Sequence, residues 1–319
     1  MKRDPVLLLS CLPGVAVLVL AIAGWGPTVR DVPAYFVPLR ARTAEILEAT
    51  RDPFWNPDVG CGEPYFANPQ TGLLYPPAWL AVVLPAARAV GAEAGLHLAL
   101  LGLGCTLLAR RLNAPRWWAV AAGLAAAMAG PVGDAVGVLN NLDTLAWLPW
   151  VWWAALGGSG AGVAVFLALA YLGAEPQLTA LGGVVALTLA PTRKTLAAVV
   201  LAVAVVAVQA APFVVWVRGG DRGPGGVPAE VAGAVTAGEL AAMAVPGAPL
   251  PPRPDRFVAD PVVPLWVLVL ALAALLAPAG PGRRLAVWGW VLVAVAAAAA
   301  IPPGDRVWST RTAASCMSR

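Results

Sequence analysis

Asp52-Pro-Phe-Trp-Asn-Pro-Asp-Val-Gly-Cys-Gly-Glu-Pro-Tyr-Phe-Ala-Asn-Pro-Gln-Thr-Gly-Leu-Leu-Tyr-Pro-Pro77 is a polar island in a chain otherwise rich in Ala, Val and Leu. Its prolines and glycines forbid a regular helix and favour fixed turns. Its carboxylates, amides and aromatics supply chemistry that the apolar runs on either side lack. Irregular polar segments carried by a rigid scaffold are where function concentrates. Two questions follow: what scaffold holds this stretch, and which way it faces.

The scaffold is set by composition. Of 319 residues, 60% are hydrophobic and 12% charged, against about 25% charged in a soluble domain. The chain therefore reads as an all-α, polytopic membrane protein. Its excess of Ala, Val and Gly suits closely packed helices. A net charge of +4 is no sign of nucleic-acid binding, because much of it lies in short loops, where basic residues set topology. The four cysteines lack metal spacing, and a Cys61–Cys316 bridge cannot be assigned from sequence. The single histidine, His97, lies in an apolar run and reads as helix packing rather than a ligand.

Working outward, apolar runs cover 6–24, 95–108, 117–132, 142–156, 161–174, 178–190, 196–217, 262–277 and 285–301. Lys2 and Arg3 precede the first run, which lacks an Ala-x-Ala site and reads as an uncleaved helix. Residues 73–90 are apolar too, but contain Pro76, Pro77 and Pro85. If they do not cross, the basic clusters Arg110-Arg111-Arg116, Arg193-Lys194 and Arg283-Arg284 all fall inside, as the positive-inside rule requires. That choice gives about nine crossings and makes 73–90 an interfacial segment. Outer loops then span 25–93 and 218–260, and the outer face collects Asp31, the 52–77 stretch, Asn140, Asn141, Asp143, Glu175 and Gln177. The runs 161–174 and 178–190 are shorter than the roughly 20 residues a straight span needs. Glu175-Pro-Gln separates them, either as a broken-helix polar site or as a tight outer turn.

Individual residues leave their roles open. Asp31 is placed to act as a general base on a hydroxyl or to bind a cation, or simply to cap a helix. Trp55, Tyr65, Phe66, Tyr75 and Trp79 suit stacking on sugar faces or an interfacial aromatic belt. Asn68 and Gln70 suit hydroxyl recognition or turn capping. Asp143 and Glu175 stand at the edges of apolar spans, where an acid has either a partner or a way to water. Gln209 reads as interhelical packing. No phosphate loop, dinucleotide fingerprint, zinc motif or nucleophile elbow occurs, so nucleotide chemistry on the inner face is not expected.

Trp55-Asn-Pro-x-x-Gly-Cys-Gly-x-Pro-Tyr-Phe-Ala-Asn-Pro-Gln-x-Gly-x-x-Tyr-Pro-Pro77 resembles the first outer loop of YfhO-like bacterial membrane proteins, placed with the GT-C class of polytopic glycosyltransferases. Asp31-x-x-x-Tyr35, Leu145-Ala-Trp-Leu-Pro149, Glu175-Pro-Gln177 and Gln209-Ala-Ala-Pro-Phe213 are similar to family segments in the same order. The resemblance covers roughly residues 6–300. It implies a bacterial inner-membrane enzyme that moves a sugar from a polyprenyl-phosphate donor to an envelope polymer or lipid at the extracytoplasmic face. By the same carry-over Asp31 is catalytic, and Tyr35, Trp55, Asn56, Glu63, Asn68, Gln70, Glu175 and Gln177 contact substrate. Two departures stand out. Ala174 and Glu175 replace the family's glycine and histidine, so the phosphate-facing role differs or a bound divalent cation mediates it. The chain also ends in a sudden polar tail, 302–319, after a transmembrane unit of 1–301. That suggests a truncated or frameshifted reading frame. A transporter or flippase of a lipid-linked sugar, or a non-catalytic membrane protein, are the alternatives.

Overall fold

The computed structural model describes residues 4–59, 61–219, 275–276 and 279–300. The described chain is all-α, apart from one two-residue strand pair, Trp55–Asn56 (β1) with Glu63–Pro64 (β2). A 3-10 turn, Pro5–Cys11, leads into α1, Leu12–Ile22. Asp4 caps the turn by accepting from the Val6 N–H at 3.1 Å, as short polar residues do at helix starts. A π-turn, Val32–Phe36, opens α2, Val37–Leu47. The polar stretch follows as the strand pair and two 3-10 turns, Pro69–Thr71 and Pro76–Trp79.

One short turn of helix, α3 (Leu80–Val83), ends at Pro85, which opens α4, Ala86–Arg111. Within the expected interfacial segment 73–90, residues up to Pro85 form short turns, while 86–90 already belong to α4. The helix begins seven residues before the expected outer-loop boundary at 93 and carries Glu93 within it. Alanine is the best helix former and Pro85 ends the preceding turn, so the alanines of 86–94 carry the helix through Gly91, where close approach of Ala21 leaves no room for a Cβ.

The remaining helices are α5 (Arg116–Ala127), α6 (Gly130–Ala135), α7 (Leu139–Leu156), α8 (Gly160–Leu172), α9 (Pro176–Leu189), α10 (Arg193–Gly219) and α11 (Pro281–Ala300). Among the described residues, three helical stretches are long and apolar enough to cross a membrane: Pro5–Ile22, Ala86–Arg111 and Arg193–Gly219. The first and third are only 22% buried over their apolar windows, the second 61%. So α4 is the central post, packed against α1, α5 and α7, and α1 and α10 turn apolar faces outward for a bilayer. The number of crossings is not fixed by these three. Runs 161–174 and 178–190 form helices of 13 and 14 residues, short as expected. The run 262–277, the loop 218–260 beyond Gly219, and the tail 302–319 lie outside the described residues.

The α1–α4 contact is made backbone to backbone. A Cβ placed on Gly95 would lie 2.4 Å from the Leu18 nitrogen, and one on Gly14 would lie 2.2 Å from the Ala99 nitrogen. Glycine is required at both positions by approach rather than by dihedral angle.

The two ends of the bundle differ. Arg111 at the foot of α4 donates to the Trp153 carbonyl near the end of α7 at 2.6 Å. Arg284 at the start of α11 donates to the Thr188 carbonyl at the end of α9 at 3.0 Å. At the opposite end, the Asp31 N–H meets the Gly137 carbonyl at 3.3 Å and Gln209 of α10 reaches the Phe66 carbonyl at 3.4 Å. Basic clusters thus gather at one end and the polar stretch at the other.

A candidate ligand pocket and a buried ionic cluster

At the polar end, a cavity of about 730 Å³ is lined by Tyr35, Glu63, Asn68, Gln70, Glu175 and Gln177, with Phe213 and Trp216 from α10. Six of the nine residues singled out from sequence therefore meet in one place, drawn from four separate segments. Each is held by a specific contact. Asn68 caps the 3-10 turn by accepting from the Gln70 N–H at 3.0 Å. Its amide donates to the Tyr35 hydroxyl at 3.1 Å, and that hydroxyl donates to Gln70 Oε1 at 2.7 Å. Asn68, Tyr35 and Gln70 thus form one chain across the loop and the π-turn. Glu63 is set by the short ladder, where it pairs with Asn56.

Glu175 enters from the other wall. Its N–H donates to Thr144 Oγ1 at 3.1 Å, and its carboxylate accepts from Asn140 Nδ2 at 3.1 Å. Pro176 sits at the first position of α9, where its missing N–H is harmless. Ala174 just before it takes φ +78°, a left-handed conformation that glycine adopts freely and alanine does not. Two acceptors near this wall, Glu63 Oε1 and Asn140 Oδ1, are buried without a hydrogen-bond partner among the described residues. No lining residue is Lys, Arg or His.

Three expected residues are not on the pocket wall. Asp31 is exposed and makes no side-chain cap to the π-turn it precedes; it lies one helical turn before Tyr35. Asn56 is buried, its Oδ1 accepting from the Asp58 N–H at 3.2 Å, which is turn capping. Trp55 lies with its ring over Gly62, where a Cβ would come within 2.2 Å of the ring. Tyr65 and Tyr75, read as stacking or belt residues, are instead fully buried core. Tyr65 holds Thr43 and the Leu39 carbonyl, each through its hydroxyl. Cys61 is a free, exposed thiol, and Cys316 lies outside the described residues.

Sequence reading missed a buried ionic cluster formed by α2, α4 and α7. Arg40, Glu93, His97 and Asp143 are each no more than 2% exposed. Arg40 grips Glu93 with two parallel bonds, Nε to Oε2 at 2.8 Å and Nη2 to Oε1 at 2.9 Å. Its Nη1 donates to the Gln70 and Thr71 carbonyls at 3.0 and 2.9 Å. Asp143 lies 3.7 Å from Nη2, and its Oδ1 lies 3.1 Å from His97 Nδ1. His97 Nδ1 is 2.6 Å from the Glu93 carbonyl, and its Nε2 meets the Tyr75 hydroxyl, which accepts from Trp147 Nε1 at 2.7 Å. His97 is therefore a network residue, not packing alone. The available signal was Glu93-x-x-x-His97, which puts both on one helix face, together with the rule that an acid in an apolar helix has a partner.

Electrostatics follow burial. Burial alone would lower the Arg40 guanidinium, but Glu93 and then Asp143 outweigh it and raise it further. Burial pushes the Tyr65 phenol up to about 12 and raises Tyr35. Burial also raises the Glu175 carboxyl, against the opposing hydrogen bonds from Asn140 and the Gln177 backbone. A half-buried carboxylate poised above its ordinary range is suited to proton transfer. Among the described residues no cluster of His, Cys, Asp and Glu has the arrangement of a metal site. Neither a family model, a curated protein nor a solved structure matches the chain.

Proposed function

We propose that the pocket binds the sugar of a polyprenyl-phosphate-linked donor, and that the chain is a GT-C-like membrane glycosyltransferase working at the extracytoplasmic face. The observation that carries this is the convergence of Tyr35, Glu63, Asn68, Gln70, Glu175 and Gln177 with Phe213 and Trp216 on one cavity of about 730 Å³. Carboxylates and amides offer acceptors to sugar hydroxyls, and aromatic rings offer flat apolar faces. The unpartnered Glu63 Oε1 and Asn140 Oδ1 call for donors, which hydroxyl groups supply.

In this reading Glu175 and Glu63 face the sugar. Asp31, exposed at the start of the Tyr35 turn, meets the acceptor and takes its hydroxyl proton, as the resemblance implies. A pocket without a cation among its lining residues holds the sugar rather than the donor phosphate. The envelope acceptor, polymer or lipid, approaches from the solvent side, and about nine crossings would complete the bundle.

Radiolabelled lipid-linked sugar given to the purified protein in vesicles tests the proposal. Transfer to an acceptor that is lost in Asp31→Asn and in Glu175→Gln supports it; full activity in both variants rejects it. A second reading, a transporter or flippase of the same lipid-linked sugar, is favoured by the charged cluster inside the helix bundle, since intramembrane ionisable groups mark transport paths. Label that crosses the vesicle wall without transfer would select it.

A further inference from the structure

The buried cluster carries an unbalanced charge. Its charged and titratable groups are Arg40 from α2, Glu93 and His97 from α4 and Asp143 from α7, with the Tyr75 phenol from the loop and Tyr65 beside Arg40. The hydrogen bonds fix the state of the histidine. A tryptophan Nε1 can only donate, so Tyr75 accepts from Trp147. The Tyr75 proton then points to His97 Nε2. At its other nitrogen the ring meets a carbonyl, Glu93 O, at 2.6 Å, which can only accept. His97 is therefore the neutral Nδ1–H tautomer. An imidazolium would put a second donor on the Tyr75 oxygen and leave the tyrosine proton, buried at 1% exposure, with no acceptor.

One guanidinium then faces two carboxyl groups. Glu93 takes both forked bonds of Arg40, and Asp143 has only the long 3.7 Å contact. The Nδ1–H of His97 is directed at the Glu93 carbonyl, so Asp143 Oδ1, though 3.1 Å away, has no hydrogen-bond partner among the described residues. Glu93 Oε1 at 2.9 Å and Asp143 Oδ2 at 3.7 Å both face the same Arg40 Nη2. With both carboxyl groups ionised the cluster carries a net negative charge, which is strongly unfavourable in a dry interior. One proton on the less well-paired acid removes it.

We propose that Asp143 is a proton-binding site: at neutral pH it holds one proton, which leaves Arg40 paired with Glu93 and the cluster electrically neutral. Binding converts one carboxylate to a carboxylic acid and requires no other reactant. The site is wired to the pocket on two sides. Arg40 holds the backbone of Gln70, a pocket residue, and Asp143 stands one helical turn from Asn140, which holds Glu175. The proton site does not depend on the nature of the pocket's ligand.

Infrared spectroscopy of the purified full chain, with Asp and Glu isotopically labelled, reads the proton directly. The wild type at neutral pH shows the carbonyl stretch of a protonated carboxylic acid. Asp143→Asn and Glu93→Gln remove that band, and Glu175→Gln leaves it. Absence of the band in the wild type, or its survival in both cluster variants, overturns the proposal. The wild-type spectrum alone decides if the variants fail to fold. A second readout is the pH dependence of unfolding. The folded state holds one proton that the unfolded chain releases above the ordinary carboxylate range. The wild-type folding constant therefore falls about tenfold per pH unit, relative to Asp143→Asn, until the site itself deprotonates. Parallel profiles for the two proteins count against the site.

Discussion

Two places in this molecule hold a pair of carboxyl groups among amides and aromatics, and they are opposites. In the cluster, Glu93 and Asp143 are sealed around Arg40 and every strong donor is spent inward. In the pocket, Glu63 and Glu175 face a cavity of about 730 Å³ with no cation in its lining. The difference is one guanidinium. Where it is present the acids build structure, because a forked Arg–carboxylate pair fixes two elements in one geometry. Where it is absent, Glu63 keeps a buried acceptor without a partner among the described residues.

The sharpest way to break this contrast is to remove the guanidinium. Arg40→Met leaves Glu93 and Asp143 buried without a counter-charge and releases the Gln70 and Thr71 carbonyls. We expect a loss of about 3–5 kcal/mol, read as a collapse of the melting temperature in detergent; a variant that melts like wild type would mean the cluster is not structural. In the pocket, Glu175→Gln keeps the size and the Asn140 contact but removes the carboxylate charge that faces the proposed sugar. Sugar transfer should fall about 10²-fold or more while the melting temperature stays near wild type. Equal losses of stability in the two variants would erase the distinction between the regions.

A smaller effect separates them from the other direction. Ala174→Gly relieves the left-handed backbone at the pocket rim. The expected gain is about 0.5–1 kcal/mol, without change in the cluster's infrared band. The smallest effect is the pH profile of the pocket. Burial raises the folded Glu175 carboxyl above its unfolded value, so its contribution is fully present below the unfolded value and is lost as pH rises through the folded one. Glu175→Gln should therefore gain on wild type as pH rises above about 4.3, and then hold a constant lead. A lead that shrinks over that range would reverse the sign of the shift.

Much of the scaffold was readable from the chain. Pro76, Pro77 and Pro85 keep the chain before α4 in short turns, and the short runs either side of Glu175-Pro-Gln became short helices. The pocket was readable in residue type: Tyr35, Asn68 and Gln70 were singled out from a polar stretch, and they meet. The cluster was not. Arg40 and Glu93 are 53 residues apart, so no local pattern shows that they meet. Glu93 was assigned to a loop because apolar periodicity becomes visible only at Gly95, while the Ala/Gly run before it shows no face. Asn56 and Trp55 lie off the cavity wall: Asn56 caps its own turn, and local sequence does not reveal which turn side chains face outward.

The Gly14 and Gly95 contacts have a mechanical consequence. Helices whose backbones touch cannot slide by a turn or roll without collision, so α1 and α4 behave as one strut. The α4–α2 connection through Arg40 adds the loop wall of the pocket to that strut. On the far side, α10 brings Phe213 and Trp216, tied to the loop by the long 3.4 Å bond from Gln209 to Phe66. The two glycines therefore brace one wall of the cavity, and α10 supplies the other.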